Sequence, residues 1–184
     1  SNRCADLANY DLEKYNANNE YPRKLWNDAY IHINTLNYMI ENAAKVDVTT
    51  TALTAAQRDQ YLGEAYFMRA YNYFHLVEQF GDVTLTTTYN ASPSTSSERH
   101  DMVRVYEEVI IPDLLNAIRL CSPSPQLNNL ESGRASAATA RHLLSRVYLT
   151  LAWVFDKDPA NPSYKGNTQT KYYNTTKADR KSVV

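Results

Sequence analysis

A chain of 184 residues is long enough to bury the core of one domain. Its formal net charge of −1, with both signs spread along the chain, excludes nucleic-acid or anionic-membrane binding through a basic patch or stripe. Four glycines, and fifteen tyrosines against four phenylalanines, favour long helices over a turn-rich β fold and suit surfaces that are apolar and hydrogen-bonding at once.

Residues 1–24 are polar, rich in Asn and Tyr, and carry Pro22, so they read as a loop segment. A helical period begins at Leu25. Trp26, Tyr30, Ile33, Asn37 and Ile40 recur at steps of three and four and share one face. Asn37 on that face reads as a hydrogen-bonded interior amide. The run Thr49-Thr50-Thr51 closes this helical region. Thr54 is a good N-cap for a second helix, with Gln57 as its capping-box partner and Gly81-Asp82 as the stop after Phe80. The inner stripe is Leu62, Ala65, Arg69, Tyr73, Leu76 and Phe80. Small residues at Gly63, Ala65 and Ala70 allow a neighbouring helix to come close. Arg69 is a cation on an apolar stripe, so it is expected to pair with a carboxylate elsewhere.

Residues 82–100 hold Val83, Leu85, a threonine triplet and a Ser/Pro-rich run, and read as an extended connector and loop. A third helix is expected from Met102 to Leu120, with Tyr106, Val109, Asp113, Ala117 and Leu120 on one face. Pro112 should kink it, because proline removes a backbone donor and crowds the preceding turn. Gly133 supplies a turn, and Ser136 caps a fourth helix reaching Phe155. Its core side is Ala137, Ala140, Leu144, Val147 and Leu151. The scaffold therefore spans residues 25–155. From 156 to 184 the chain is irregular, and residues 179–184 coincide with one reading frame of a common sequencing-adapter end, so they are expected to be foreign to the natural protein. The fold class is all-α: about four main helices in tetratricopeptide-like hairpins with long loops, without a clean 34-residue repeat.

Catalytic signatures are missing. The chain has no Gly-x-Ser-x-Gly elbow, no phosphate-cradling glycine loop and no His-Glu-x-x-His. Glu107-Glu108 is the one adjacent acidic pair, but helical neighbours point about 100° apart and do not face a common point. A solvated helix face explains them better than glycoside hydrolysis. His32, His75, His100 and His142 lie in four separate segments, and surface or core roles suit each better than metal ligation. Cys4 and Cys121 have no metal-type spacing, and Cys121 at a helix end reads as a packed thiol. No cofactor or metal site is expected. The aromatics of the first segment are more informative. Tyr10, Tyr15, Tyr21 and Trp26 lie in or beside an Asn-rich stretch that includes Asn16. A sugar ring offers an apolar C–H face and a rim of hydroxyls, and an aromatic plate beside Asn, Asp or Arg answers both. Trp26 also fits the helix stripe, and that core role weighs more.

In order, the segments resemble the SusD/RagB family. The resemblance is carried by Trp26-x3-Tyr30-x2-Ile33-x3-Asn37, by Gly63-Glu64-Ala65 and Arg69-Ala70-Tyr71 in a helix ending Phe80-Gly81-Asp82, by Arg99, Val105-Tyr106 and Asp113-Leu114, and by Gly133-Arg134-Ala135-Ser136 with the small-residue helix after it. Thr84 stands where the family usually has Pro. Tyr30, Asn37, Glu64, Arg69, Gly81, Asp82, Asp113, Gly133 and Arg134 are thereby marked as structural motif residues. The resemblance implies a non-catalytic protein that binds polysaccharide or oligosaccharide. It would be lipid-anchored on the extracellular face of the outer membrane as an accessory of a SusC-type TonB-dependent transporter. It implies a full-length protein roughly two to three times as long as this chain, so the anchor segment and a C-terminal portion are expected to lie outside it. That reading predicts an exposed apolar face where the remainder packs. The alternative, a tetratricopeptide-like adaptor binding a protein partner in its groove, predicts a well-closed surface and cytoplasmic residence.

Overall fold

The computed structural model of the chain describes residues 20–43, 45–50, 53–92, 98–123 and 133–157, with side chains through residue 152. Helix α1 runs Glu20–Ala43 and α2 runs Ala55–Phe80. Two short strands follow, β1 (Val83–Thr84) and β2 (Arg99–His100), paired antiparallel with Val83 opposite His100. A third helical rod comprises α3 (Met102–Val105), a π-helical turn (Tyr106–Ile110) and α4 (Ile111–Leu120); α5 is Ala137–Lys157. Helix α2 packs against α1 on one side and α4 on the other, and α4 carries α5. All four expected helices are present.

Their ends follow from local chemistry. Thr54 and Gln57 close the expected capping box: the Thr54 hydroxyl accepts from the Gln57 amide at 3.2 Å, and Gln57 Oε1 accepts from the Thr54 amide at 2.9 Å. Gly81 ends α2 at φ 67°, a conformation that suits glycine, and its N–H donates to Val77 O. Asp82 then reaches forward, its Oδ1 accepting from the Met102 amide at 3.1 Å. Ser136 caps α5, its hydroxyl accepting from the Thr139 amide at 3.2 Å. The carbonyls of Ser122 and Pro123 take two more first-turn donors of α5, from Ala137 and Ala138.

Two expectations are corrected. The first helix starts at Glu20, so residues 20–24, read as loop, are helical. Pro22 is no obstacle there, because amides in the first turn of a helix have no intrahelical partner to lose. The expected kink at Pro112 takes the form of the π-helical turn just before it, where the Ile111 N–H bonds to Tyr106 O, five residues back. The widened turn accommodates a residue that cannot donate to the carbonyl of Glu108 and whose ring would crowd it.

The core is one contiguous cluster. Ile33 of α1, Tyr73, Phe74 and Leu76 of α2, Tyr106 and Ile110 of the π turn, Leu114 of α4, and Leu144 and Leu151 of α5 are buried within it. Close approach is arranged at Gly63, where an added Cβ would lie 2.6 Å from Cys121 Sγ and 3.0 Å from the Cys121 amide nitrogen. Cys121 is the buried, unpaired thiol expected from its position, and burial pushes its pKa up to about 11.

Candidate functional site

The polar residues of the motif resolve into two internal clamps on α2. Arg69 donates through Nε and a terminal nitrogen to both oxygens of Asp113, at 2.7 and 2.8 Å. Its other terminal nitrogen donates to Asn37 Oδ1 at 2.8 Å and to the Thr87 carbonyl. Burial pushes the Asp113 carboxyl above the usual carboxylate range, and Arg69 opposes that shift through its hydrogen bonds and charge. The planar fork and the ever-charged guanidinium keep the pair ionic at neutral pH. The carboxylate expected for Arg69 is therefore Asp113, and α1, α2 and α4 meet at this point.

The second clamp joins α2 to the start of α5. Arg134 forms a bidentate pair with Glu64 at 2.8 and 2.7 Å and lies over the Tyr61 ring at 4.8 Å. Gln60 donates to Glu64 at 2.7 Å and to the Ala135 carbonyl, and accepts from the Ser122 amide at 2.7 Å. Gly133, at φ 92°, makes the turn that delivers Arg134. These groups consume one another's hydrogen bonds and leave little with which to hold a substrate.

A third arrangement was not visible in the sequence. One stripe of α1, at Tyr30, Asn34, Asn37 and Glu41, binds the backbone of the extended segment after β1. The Tyr30 hydroxyl donates to Thr84 O at 2.7 Å, and burial pushes its pKa up to about 12. The Asn37 amide donates to Thr86 O and Thr88 O, while Asn34 exchanges two hydrogen bonds with the Asn90 backbone at 2.9 Å each. Glu41 accepts from the Tyr89 amide at 2.7 Å. From α2, the Tyr73 hydroxyl donates to Thr86 O and accepts from the Thr86 amide. Burial raises the pKa of that hydroxyl as well. Side chains thus do the work of a neighbouring strand. Asn34 and Glu41 look like solvent-facing residues in sequence; the i, i+4, i+7, i+11 spacing from Tyr30 was the available signal.

The expected sugar-binding residues divide. Tyr10, Tyr15 and Asn16 lie outside the described residues. Tyr21 sits on the first turn of α1 rather than in a loop, and is 40% exposed. Trp26 is partly buried, its ring 5.0 Å from Tyr30 and 5.1 Å edge-on from Phe80, with Arg99 5.2 Å over it. Glu107 and Glu108 are exposed, and Glu108 pairs with Arg104 at 2.7 Å one turn away. Among the described residues no group of three His, Cys, Asp or Glu side chains could hold a metal ion, and no helix is long and apolar enough to cross a membrane.

Comparison with known proteins agrees with this architecture. The SusD-like family model described as "Starch-binding associating with outer membrane" matches residues 2–149. SusD-like protein P2 of Formosa agariphila is 33% identical over 127 residues, which is 68% of this chain and 23% of that protein. A SusD superfamily structure from Parabacteroides distasonis superposes with a TM-score of 0.75 at 26% identity, over 96% of this chain and 34% of that one. A laminarin-binding SusD-like protein superposes with a TM-score of 0.66 at 26% identity, over 88% of this chain and 35% of that one. The chain thus spans about a quarter to a third of the length of these relatives. With the family model matched over residues 2–149 and a relative 33% identical over 68% of the chain, the chain belongs to the SusD-like family.

Proposed function

We propose that this chain is the helical scaffold portion of a non-catalytic glycan-binding protein that serves a SusC-type TonB-dependent transporter at the extracellular face of the outer membrane. The intact protein would be held there by a lipid anchor. The observation that carries the reading is the family match over residues 2–149, together with a laminarin-binding relative of the same fold. The polar clusters on α2 are spent on internal pairing, which supports a scaffold rather than a catalytic role. Exposed apolar residues, among them Ile31 and Met39 on α1 and Tyr61 and Met68 on α2, support a surface that meets further chain or a partner. They argue against the closed surface of a self-contained adaptor.

The test is electrophoresis of the full-length protein in native gels containing soluble starch or laminarin, with pull-down of the tagged protein from outer-membrane extracts. Retardation by a polysaccharide and recovery of a transporter are the expected results. Tyr15→Ala or Tyr21→Ala should weaken retardation if the first segment contributes to the sugar site. A protein slowed by no glycan and recovering no transporter would sink the proposal.

A further inference from the structure

The extended segment clamped on α1 presents an aromatic corner at the surface. Tyr38 lies on α1, one turn from both Asn34 and Glu41, and is 52% exposed; Tyr89 lies on the clamped segment and is 43% exposed. Their ring centroids are 5.1 Å apart with an interplanar angle of 68°, so one ring stands as a wall beside the other. The corner is held from both sides. The Tyr89 amide donates to Glu41 Oε1 at 2.7 Å, and Asn34 fixes the Asn90 backbone through both its N–H and its carbonyl. Asn90 Oδ1 accepts from the Ser92 amide, which orients that side chain as well.

These bonds leave particular atoms available. Glu41 Oε2, Asn90 Nδ2 and the two tyrosine hydroxyls make no hydrogen bond among the described residues. Around the rings there are thus one carboxylate acceptor, one amide donor and two hydroxyls that can do either. The other exposed tyrosines of α2 are differently placed. Tyr61 has Arg134 over its ring at 4.8 Å, and Tyr71 meets His75 at 4.3 Å and stacks near Phe67.

We infer that Tyr38 and Tyr89, with Glu41 and Asn90 beside them, form a carbohydrate subsite that takes one sugar ring of a glycan. The C–H face of the ring would stack on one tyrosine and its edge would meet the other, while its hydroxyls bond the carboxylate and the amide. The clamp means that little ordering remains to be done on binding. The inference rests on the glycan-binding reading above but names residues outside the first segment.

The test uses the full-length protein in native gels with a concentration series of starch or laminarin, comparing Tyr38→Ala, Tyr89→Ala and the corresponding phenylalanine variants. Each alanine variant should weaken the apparent affinity roughly tenfold, the usual loss when an aromatic anchor is truncated. Each phenylalanine variant keeps the stacking face and should stay within about threefold of the parent. Both rings are exposed, so thermal melting should be unchanged and separates a lost site from a lost fold. If the parent is retarded and the alanine variants match it, the subsite is wrong while the glycan reading stands. If no polysaccharide retards the parent, the broader reading fails and the subsite with it.

Discussion

At the scale of single residues, the Arg69–Asp113 pair has the most at stake. Both side chains are less than a tenth exposed. Desolvation makes such a pair a poor source of net stability, but breaking it leaves a charge buried alone. Arg69→Met should therefore cost about 3–5 kcal/mol in urea unfolding. The double variant Arg69→Met/Asp113→Leu should recover much of that loss. Recovery should stop short of complete, because Asn37 Oδ1 and the Thr87 carbonyl also lose their donor. A double variant as unstable as the single one would mean that the charge pair is not the source of the cost. The sequence already called for a carboxylate partner. Which one it was could not be read from it, because Asp113 lies 44 residues away and only helix packing brings it to Arg69.

At the scale of elements, the approach of α2 to the end of α4 depends on the missing side chain at Gly63. Gly63→Ala would put a methyl 2.6 Å from Cys121 Sγ and 3.0 Å from a backbone nitrogen. The helix geometry itself favours alanine, by about 1 kcal/mol. Overpacking costs about 1–3 kcal/mol and should win, so the variant is expected to be less stable by guanidinium denaturation. Adding Cys121→Ala should return only part of the loss, since the backbone contact remains. An unchanged midpoint for Gly63→Ala would show that α4 can simply retreat. Small residues on α2 signalled a close neighbour in advance. The π-helical turn was less legible: Pro112 announced a disturbance, but whether a helix bends or widens is decided by what packs around it. Here Tyr106 and Ile110 within the turn are both fully buried.

At the scale of the whole molecule, the hydroxyls of three tyrosines, Tyr73 and Tyr106 buried and Tyr30 partly buried, tie the helices to one another and to the connector. Tyr30 and Tyr73 hold the segment after β1, and Tyr106 donates to Glu78 across the α2 interface at 2.9 Å. Burial raises all three above the ordinary tyrosine value of 10.0, Tyr30 to about 12. A raised folded pKa means the unfolded chain releases these protons first. Their contribution is fully present below pH 10.0 and is lost as pH rises through the folded values, from about 12 for Tyr30. The fold should therefore weaken above pH 10.0, the unfolded reference value. Because the core is one contiguous cluster, loss of helical circular dichroism should coincide with a late step in tyrosinate absorbance. Tyr30→Phe should shrink that step. Smooth titration of every tyrosine before any loss of helix would contradict this.

The sequence by itself determined the helices, their caps, the buried cation and the order of motifs that marks the family. These are local or periodic properties, written in residues three, four or seven apart. Tertiary structure decided what those residues face. It paired Arg69 with Asp113 and Glu64 with Arg134, and turned one stripe of α1 into a clamp for a distant backbone. It also packed Trp26 against Phe80 and stood Tyr38 beside Tyr89 at the surface. Such contacts join positions 44 to 70 residues apart. No local pattern encodes them, because they exist only once the helices have packed and brought their faces together.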